Sequence, residues 1–196
     1  MTNAKFSSND VALLQQEISY QGFFQVETLT FKHKLFAGGW SPVIKREVLE
    51  RGHAVVVLAY DPHLDEVVLV EQIRVPVLAD NRSPWLLELV AGMIEPNESP
   101  VDVAKRELME EAGLAADKIS QICHFYPSPG GCSERVSLFL AEVDSSQAGG
   151  LHGLKDEHED IRVHVISRIN AYNKVISGDI VSAPTIVGLQ WLMLNY

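Results

Sequence analysis

The segment GMIEPNESPVDVAKRELMEEAGL, residues 92–114, is the most informative stretch of this chain. Within it, Ser99 suits a helix N-cap, Pro100 suits the first helical position, and Asp102 is placed to reach back to the cap. Gly113 supplies a C-terminal stop. The segment therefore predicts one helix that begins at Pro100 and ends before Gly113.

Carboxylates are arranged along this predicted helix in a pattern that suits a bound cation. At about 100° per residue, Glu107 and Glu111 lie one turn apart on the flank of an apolar face. That face consists of Val101, Ala104, Leu108 and Ala112. Glu110 points away from this face and follows Arg106 by four residues. We therefore expect Glu110 either to form an ion pair with Arg106 or to hold a metal-binding side chain in place. Glu98, in the loop before the helix, can take either role.

An acidic run on a helix is more often a solvated face than a metal site. Here the spacing of Gly92, Glu98 and the segment 106–114 favours the metal site, because chance rarely assembles all of these positions together. Hard oxygen ligands favour Mg²⁺, with Mn²⁺ as a substitute.

Composition limits the classes of protein to consider. A chain of 196 residues with 46% hydrophobic content can bury one full core. The net charge of −10, without clustered Lys or Arg, argues against a nucleic-acid partner. We find no apolar run long enough to span a membrane and no signal peptide in the first five residues. Cys123 and Cys132 form no CxxC pair, so neither a disulfide framework nor a zinc ribbon is indicated, and a cytoplasmic location is expected.

The chain divides into two regions by pattern, residues 1–50 and residues 51–196. In the first, residues 26–36 alternate apolar and polar side chains, and Gly38-Gly39 turns into a second strand around residues 42–49. A two- or three-stranded antiparallel sheet of this size is too small to be stable alone. It needs a partner surface, which is either the core domain or a second copy of the chain.

Residues 51–196 predict an α/β fold. Buried strands are expected at 54–60 and 66–72 as a hairpin, and further strands at 85–90, 119–126 and 137–143. Helices are expected at 167–176, stopped by Gly178, and from Pro184 to the end, with Ile186, Leu189, Leu192 and Met193 buried. The order of sheet, helix, sheet and helix indicates an α/β sandwich.

Residues 92–114 match every fixed position of the Nudix box, so the chain resembles the Nudix hydrolases. Pro129, sixteen residues after Gly113, stands where the ADP-ribose pyrophosphatase group of that family has its marker, although Pro129-Gly130-Gly131 by itself is an ordinary turn. The resemblance extends through residues 46–53, 71–74, 84–88, 133–135 and 157–163. It implies a mixed sheet between helical layers with a small N-terminal sheet, a homodimer, and Mg²⁺-dependent hydrolysis of ADP-ribose to AMP and ribose 5-phosphate.

The resemblance also implies a ligand set. The carbonyl of Ala91 and the side chains of Glu107 and Glu111 are expected to hold Mg²⁺, and Glu159 to complete the cluster. Glu157 matches the position proposed as general base in similar enzymes, on a loop that closes over the substrate. Without the resemblance, the acidic run at 156–160 is a solvated loop.

Substrate contacts follow from the same resemblance. Arg46 and Arg74 match arginines that contact the substrate, since a guanidinium suits pyrophosphate oxygens, and surface salt bridges are the alternative. Glu134 sits where the family has an acidic residue near the active site, and its role stays open. Phe23 or Trp40 can stack on adenine, although packing is the commoner fate of such rings.

Two other functions compete with this interpretation. One is hydrolysis of a different nucleoside diphosphate derivative, either a sugar nucleotide or a dinucleotide, because the box selects the diphosphate and says little about the attached group. The other is a sensor that binds a nucleotide without catalysis. Sensors of that kind usually lose box carboxylates, and here all are present.

Overall fold

The computed structural model describes residues 5–116 and 118–196, which form eleven β-strands and three α-helices. Residues 1–4, part of the stretch in which no signal peptide is expected, lie outside the described residues. The chain separates into two compact units. The first runs up to Gly52 and includes Ser128–Glu134, and the second comprises His53–Pro127 and Arg135–Tyr196. In the described part of the chain, no helix has the length and apolar character needed to cross a membrane.

The first unit is built on a three-stranded antiparallel sheet in the order β1-β2-β3. Its strands are β1 (Val11–Gln21), β2 (Gln25–His33) and β3 (Ile44–Glu50). The sequence pattern located β2 and β3 but gave no position for β1. The sequence pattern also did not assign Ser128–Glu134 to the first unit. In the structure this segment belongs to it, and the Leu49 N–H donates to the Gly131 carbonyl at 2.8 Å. The division into domains 1–50 and 51–196 stays a prediction.

The second unit contains a mixed eight-stranded sheet with three helices. The strands are β4 (Ala54–Asp61), β5 (Glu66–Ile73), β6 (Trp85–Glu88), β7 (Val90–Met93), β8 (Lys118–Phe125), β9 (Val136–Glu142), β10 (Leu151–His152) and β11 (Ile161–Ser167). The helices are α1 (Pro100–Ala112), α2 (Arg168–Ser177) and α3 (Ala183–Asn195). The main path runs β10-β11-β5-β4-β9-β8, in which β4 and β9 are parallel. The predicted α/β class is confirmed.

Helices cover both faces of this sheet. Side chains of a strand alternate between the two faces, so successive residues of one strand pack against different helices. Along β4, Val55 and Val57 join one apolar cluster with Leu108 of α1. Val56 and Leu58 join a second cluster that includes residues of α2 and α3. The unit is therefore an α/β/α sandwich, as expected.

Helix α1 begins and ends at the predicted residues. The Ser99 hydroxyl accepts the Asp102 N–H at 3.3 Å, and Gly113 closes the helix at a φ of 66°. The Asp102 carboxylate accepts a bond from the Ser99 hydroxyl at 2.6 Å, so it supports the cap side chain rather than the cap backbone. On the buried face, Val103 is fully buried and Val101 only partly, a shift from the predicted stripe.

The box enters the sheet beneath α1 because β4 and β5 pair only next to their turn, between residues 59–61 and 66–68. Beyond that point the two strands diverge. Strand β7 pairs with the first half of β4, and β6 pairs with the second half of β5. Helix α1 packs on β7, so Ala91 and Gly92 lie under the helix that carries the carboxylates.

Candidate active site and metal centre

Glu107 and Glu111, which helical periodicity places on the flank of the apolar face, are buried at 9% and 2% exposure. The glycine at position 92 permits this burial. A Cβ at Gly92 would lie 1.7 Å from Glu107 Oε1, so any other residue there would occupy the space of the carboxylate. The position of β7 under α1, with glycine at residue 92, therefore leaves room for the Glu107 carboxylate on this flank of the helix.

Glu111 is held by neutral hydrogen-bond donors. The Ala91 N–H donates to Oε2 at 2.9 Å, and Gln72 Nε2 donates to Oε1 at 3.3 Å. Burial, aided by the negative charges of Glu107 and Glu159, raises the pKa of Glu111 to about 8 from 4.5, against the lowering by the Ala91 N–H and Arg74. At neutral pH such a carboxyl group is mostly protonated, and a bound cation would favour its ionised form.

Glu107 is in a similar state. Its Oε1 accepts from Arg106 Nη1 at 2.7 Å. Burial, aided by the charges of Glu110 and Glu159, raises the pKa of Glu107 to about 7, although Arg106 opposes the shift. The positive charge of Arg106, which other carboxylates share, therefore does not offset the effect of burial on the pKa of Glu107.

Arg106 is shared because it also binds two more carboxylates of the box, those of Glu98 and Glu110. Its Nε lies 3.1 Å from Glu98 Oε1, and its Nη1 lies 3.0 Å from Glu110 Oε2. The hydrogen bond from Arg106 lowers the pKa of Glu98. Glu98 and Glu110 thus form the ion pairs considered for them, and these pairs connect the loop before α1 to the helix.

The acidic loop between β10 and β11 carries the two remaining glutamates. Glu157 is exposed and ends a single 3-10 turn, Lys155–Glu157. Glu159 is half-buried, and its Oε2 accepts the Leu154 N–H at 3.0 Å. Gly153, at a φ of 100°, lies so close that a Cβ there would meet Glu159 Cβ at 2.7 Å. The charge of Glu159 reaches both buried carboxylates, because it raises the pKa values of Glu107 and Glu111.

The donor set fits a hard divalent cation. Two buried carboxylates with raised pKa values and a third acting on them through space form a site whose electrostatics favour positive charge. Within residues 5–116 and 118–196, no three His, Cys, Asp or Glu side chains converge closely enough to hold an ion by themselves. A cation here would therefore need oxygen ligands besides these side chains, which is the usual state of Mg²⁺.

Of the expected substrate residues, Arg74 lies in the second unit with the carboxylates. Its Nε lies 2.6 Å from Glu88 Oε2, and its charge lowers the pKa of Glu111. The other four belong to the first unit. Arg46 is exposed with Nη1 bonded to the Lys45 carbonyl at 2.8 Å, and Glu134 lies 3.5 Å from Arg51. Phe23 is 90% exposed, and Trp40 lies under the ammonium groups of two lysines.

Two contributors to the site had no assigned role in the sequence interpretation. Gln72 anchors Glu111, and Gly92 makes room for Glu107. Gln72 could have been found, because it follows the buried Val68 and Val70 on the same face of strand β5. The close approach at Gly92 depends on how α1 packs on β7, and no local pattern reports it.

The sandwich fold and the buried carboxylates of the box define a Nudix hydrolase. The chain belongs to the NUDIX domain family, which matches residues 50–180, and as a member it is a metal-dependent hydrolase. The family resemblance is thereby confirmed.

Individual relatives are similar over nearly the whole chain. The ADP-ribose pyrophosphatase of Escherichia coli (strain K12) is 51% identical over 191 residues, which cover 97% of this chain and 91% of the relative. The GDP-mannose pyrophosphatase of Yersinia pestis (strain Pestoides F) is 35% identical over 185 residues, covering 93% and 91%. The crystal structure of an ADP compounds hydrolase matches with a TM-score of 0.71 at 21% identity, covering 95% of this chain and 96% of that chain, which supports the fold.

Proposed function

We propose that this protein hydrolyses the pyrophosphate of ADP-ribose to AMP and ribose 5-phosphate in a Mg²⁺-dependent reaction. The observation that carries the proposal is the buried pair of Glu107 and Glu111, whose raised pKa values call for a cation. The substrate is proposed from the relatives named ADP-ribose pyrophosphatase, which are similar over 97% of this chain.

Mg²⁺ would be held by the Ala91 carbonyl and the side chains of Glu107, Glu111 and Glu159, with Mn²⁺ as a substitute. When bound, such ions neutralise phosphate oxygens and lower the pKa of a coordinated water. The Ala91 N–H and Gln72 fix the carboxylate of Glu111, and Arg106 fixes that of Glu107. These bonds set the direction of both carboxylates before any substrate arrives.

The remaining roles belong to the loop glutamate and the arginines. Glu157 acts as general base, which its exposure supports. The loop between β10 and β11 that carries it begins at the positive-φ Gly153 and can close over a substrate. Arg74 and Arg46 bind pyrophosphate oxygens. Phe23 or Trp40 stacks on adenine, and Glu134 acts near the substrate.

A substrate panel tests the proposal. The protein is incubated with Mg²⁺ and ADP-ribose, GDP-mannose, NADH, a diadenosine polyphosphate or dGTP, and phosphate products are identified. AMP and ribose 5-phosphate forming fastest from ADP-ribose is the expected result. Faster turnover of another compound would contradict the substrate, and no turnover by a folded protein would leave the sensor function as the better account.

GDP-mannose is the second candidate substrate, because a GDP-mannose pyrophosphatase is 35% identical over 93% of this chain. The diphosphate is common to both compounds, and the carboxylates of the box act only on that part. Base and sugar selection would therefore lie outside α1. Comparing kcat/KM for the two compounds in one preparation separates the candidates.

We also propose a homodimer formed through the sheet of the first unit. Strand β1 presents exposed apolar side chains, which a three-stranded sheet cannot bury by itself. They are Val11, Leu13, Leu14, Ile18 and Tyr20. Gel filtration with light scattering should give twice the chain mass of 21.7 kDa, and Ile18→Glu should lower it. A mass near 21.7 kDa for the unmodified protein would refute the dimer.

A reducing cytoplasm is the proposed location. Both cysteines, Cys123 and Cys132, are free thiols, which suits a reducing compartment. Cell fractionation with a tagged chain tests the location directly, and recovery in an oxidising compartment would contradict it.

A further inference from the structure

We infer that Glu88 is a positioning residue that holds the guanidinium of Arg74 by its Nε, so that the terminal nitrogens are presented to the diphosphate of the substrate. The inference rests on the proposed function for the role of Arg74. Glu88 has no role in the functional proposal, and neither do the separate functions of the Arg74 nitrogens, of which Nε binds Glu88 and the terminal pair binds the substrate.

The geometry of the Arg74–Glu88 pair supports these separate functions of the nitrogens. Arg74 Nε donates to Glu88 Oε2 at 2.6 Å, a short charge-assisted bond. Within the described residues, this is the single hydrogen bond of the Arg74 side chain, and its Nη1 and Nη2 have no protein partner. A guanidinium held end-on in this way keeps both terminal nitrogens for two oxygens of a phosphate group.

The positions of the two residues in the sheet place the pair on the side of the carboxylates. Glu88 lies opposite Val70 in the pairing of β5 with β6, and Val70 packs in the cluster that contains α1 residues. Because side chains alternate along a strand, Gln72 shares that face with Val70. Arg74 follows the end of β5 with an extended backbone (φ −122°, ψ 101°), so the same alternation places it on that side. The lowering of the Glu111 pKa by Arg74 agrees with this placement.

The fold does not need the pair to fix this edge of the sheet. The Arg74 N–H already donates to the Pro84 carbonyl at 2.8 Å, so the backbone is anchored independently of the side chain. The Glu88 side chain is 12% exposed and that of Arg74 is 39% exposed. A mostly buried carboxylate thus anchors a guanidinium that stays accessible, which is the arrangement a substrate-binding arginine requires.

A double-mutant cycle tests the inference with Glu88→Gln, Arg74→Ala and the combined variant, assayed with ADP-ribose and Mg²⁺. We expect Glu88→Gln to raise KM roughly tenfold with kcat changed less than about threefold, because the guanidinium becomes misdirected while the carboxylates of α1 stay in place. In the Arg74→Ala background the same change should have no further effect. Additive effects in the cycle, or an unchanged KM in Glu88→Gln, would overturn the inference.

Asp65→Asn is the matched control, since it removes a carboxylate from another arginine Nε. Arg168 Nε lies 2.7 Å from Asp65 Oδ1, at the opposite end of β5 from Arg74. This variant should leave KM unchanged. A similar rise in KM would show that loss of any such pair disturbs the sheet, and would overturn the specific role of Glu88.

A second readout does not depend on turnover. The NMR signal of the Arg74 Nε–H, assigned by its loss in Arg74→Ala, should be slow to exchange and should shift or broaden in Glu88→Gln. If the wild type hydrolyses no compound of the panel, the proposed function fails and this signal alone decides the ion pair. An Arg74 Nε–H signal unaffected by Glu88→Gln would overturn the inference.

Discussion

The two faces of the central sheet are equally well buried but contain different chemistry. On the α2 and α3 face, the buried Thr185 hydroxyl accepts the Leu89 N–H at 3.1 Å, amid apolar side chains such as Leu192. On the α1 face, two carboxylates are buried among apolar residues with raised pKa values. One face is thus arranged for stability, while the other retains an electrostatic cost that a bound cation would relieve.

Replacing Glu111 by Gln should have the largest effect on the α1 face. We expect a roughly 1,000-fold loss of kcat, about 4 kcal/mol of transition-state stabilisation, because the buried negative charge that attracts the cation is removed. Steady-state hydrolysis of ADP-ribose with Mg²⁺ measures it. Glu95→Gln, an exposed glutamate in the same box, is the control and should stay near wild type. Activity of Glu111→Gln within tenfold of the wild type would be incompatible with a metal-binding role.

Truncating the opposite face should cost stability instead of catalysis. Leu192 is fully buried in α3, so Leu192→Ala should lower the free energy of unfolding by about 3 kcal/mol through the cavity it leaves. The rate per folded molecule should stay within about twofold. Urea unfolding and active-site titration measure the two quantities. Leu194→Ala, at a position 85% exposed on the same helix, should change neither. The comparison of faces breaks down if Leu192→Ala reduces kcat as strongly as unfolding stability.

Two glycine substitutions, one on each face, should have different effects on kcat. Gly92→Ala would place a Cβ 1.7 Å from Glu107 Oε1, and we expect a roughly 100-fold loss of kcat as the carboxylate is displaced. Gly188→Ala in α3 would meet Leu89 Cδ1 at 2.6 Å, the end of a flexible side chain on the other face. That change should lower the unfolding temperature and leave kcat near wild type. Equal losses of kcat in both variants would contradict the distinction.

The features of the site that could be predicted depend on residues close together in the sequence. Ser99, Pro100 and Gly113 define α1 because capping depends on neighbouring residues. The alternation and apolar runs located most strands of the sheet. The pairing of Arg106 with Glu98 and Glu110 also follows from short spacings within the box.

The unpredicted part depends on contacts between distant segments. Burial of Glu107 follows from the packing of α1 on β7, and the support of Glu111 comes from Gln72, far away in the sequence. Strand β1 was missed, and so was the grouping of Ser128–Glu134 with the first unit. Helical periodicity describes one element at a time and cannot report these packing relations.

Stability of the metal-free protein should depend on pH in a defined direction. The pKa values of Glu107 and Glu111 are raised to about 7 and about 8 from 4.5, so the folded state favours their neutral forms. Their contribution to stability is fully present below pH 4.5 and is lost as pH rises through about 8. Thermal unfolding in EDTA should therefore show a flatter decline between about pH 6 and about pH 8.5 in Glu111→Gln than in the wild type. Identical slopes of stability against pH in the two proteins would contradict a raised pKa of Glu111.

If the buried carboxylates of the α1 face bind a cation, thermal unfolding with and without Mg²⁺ at about pH 8 should reveal it. In EDTA, Glu111→Gln should be more stable than the wild type by about 2 kcal/mol, because a buried charge has been removed. Added Mg²⁺ should raise the unfolding temperature of the wild type and leave that of Glu111→Gln nearly unchanged. A wild type that is insensitive to Mg²⁺, or a variant that is less stable in EDTA and equally stabilised by Mg²⁺, would contradict cation binding by Glu111.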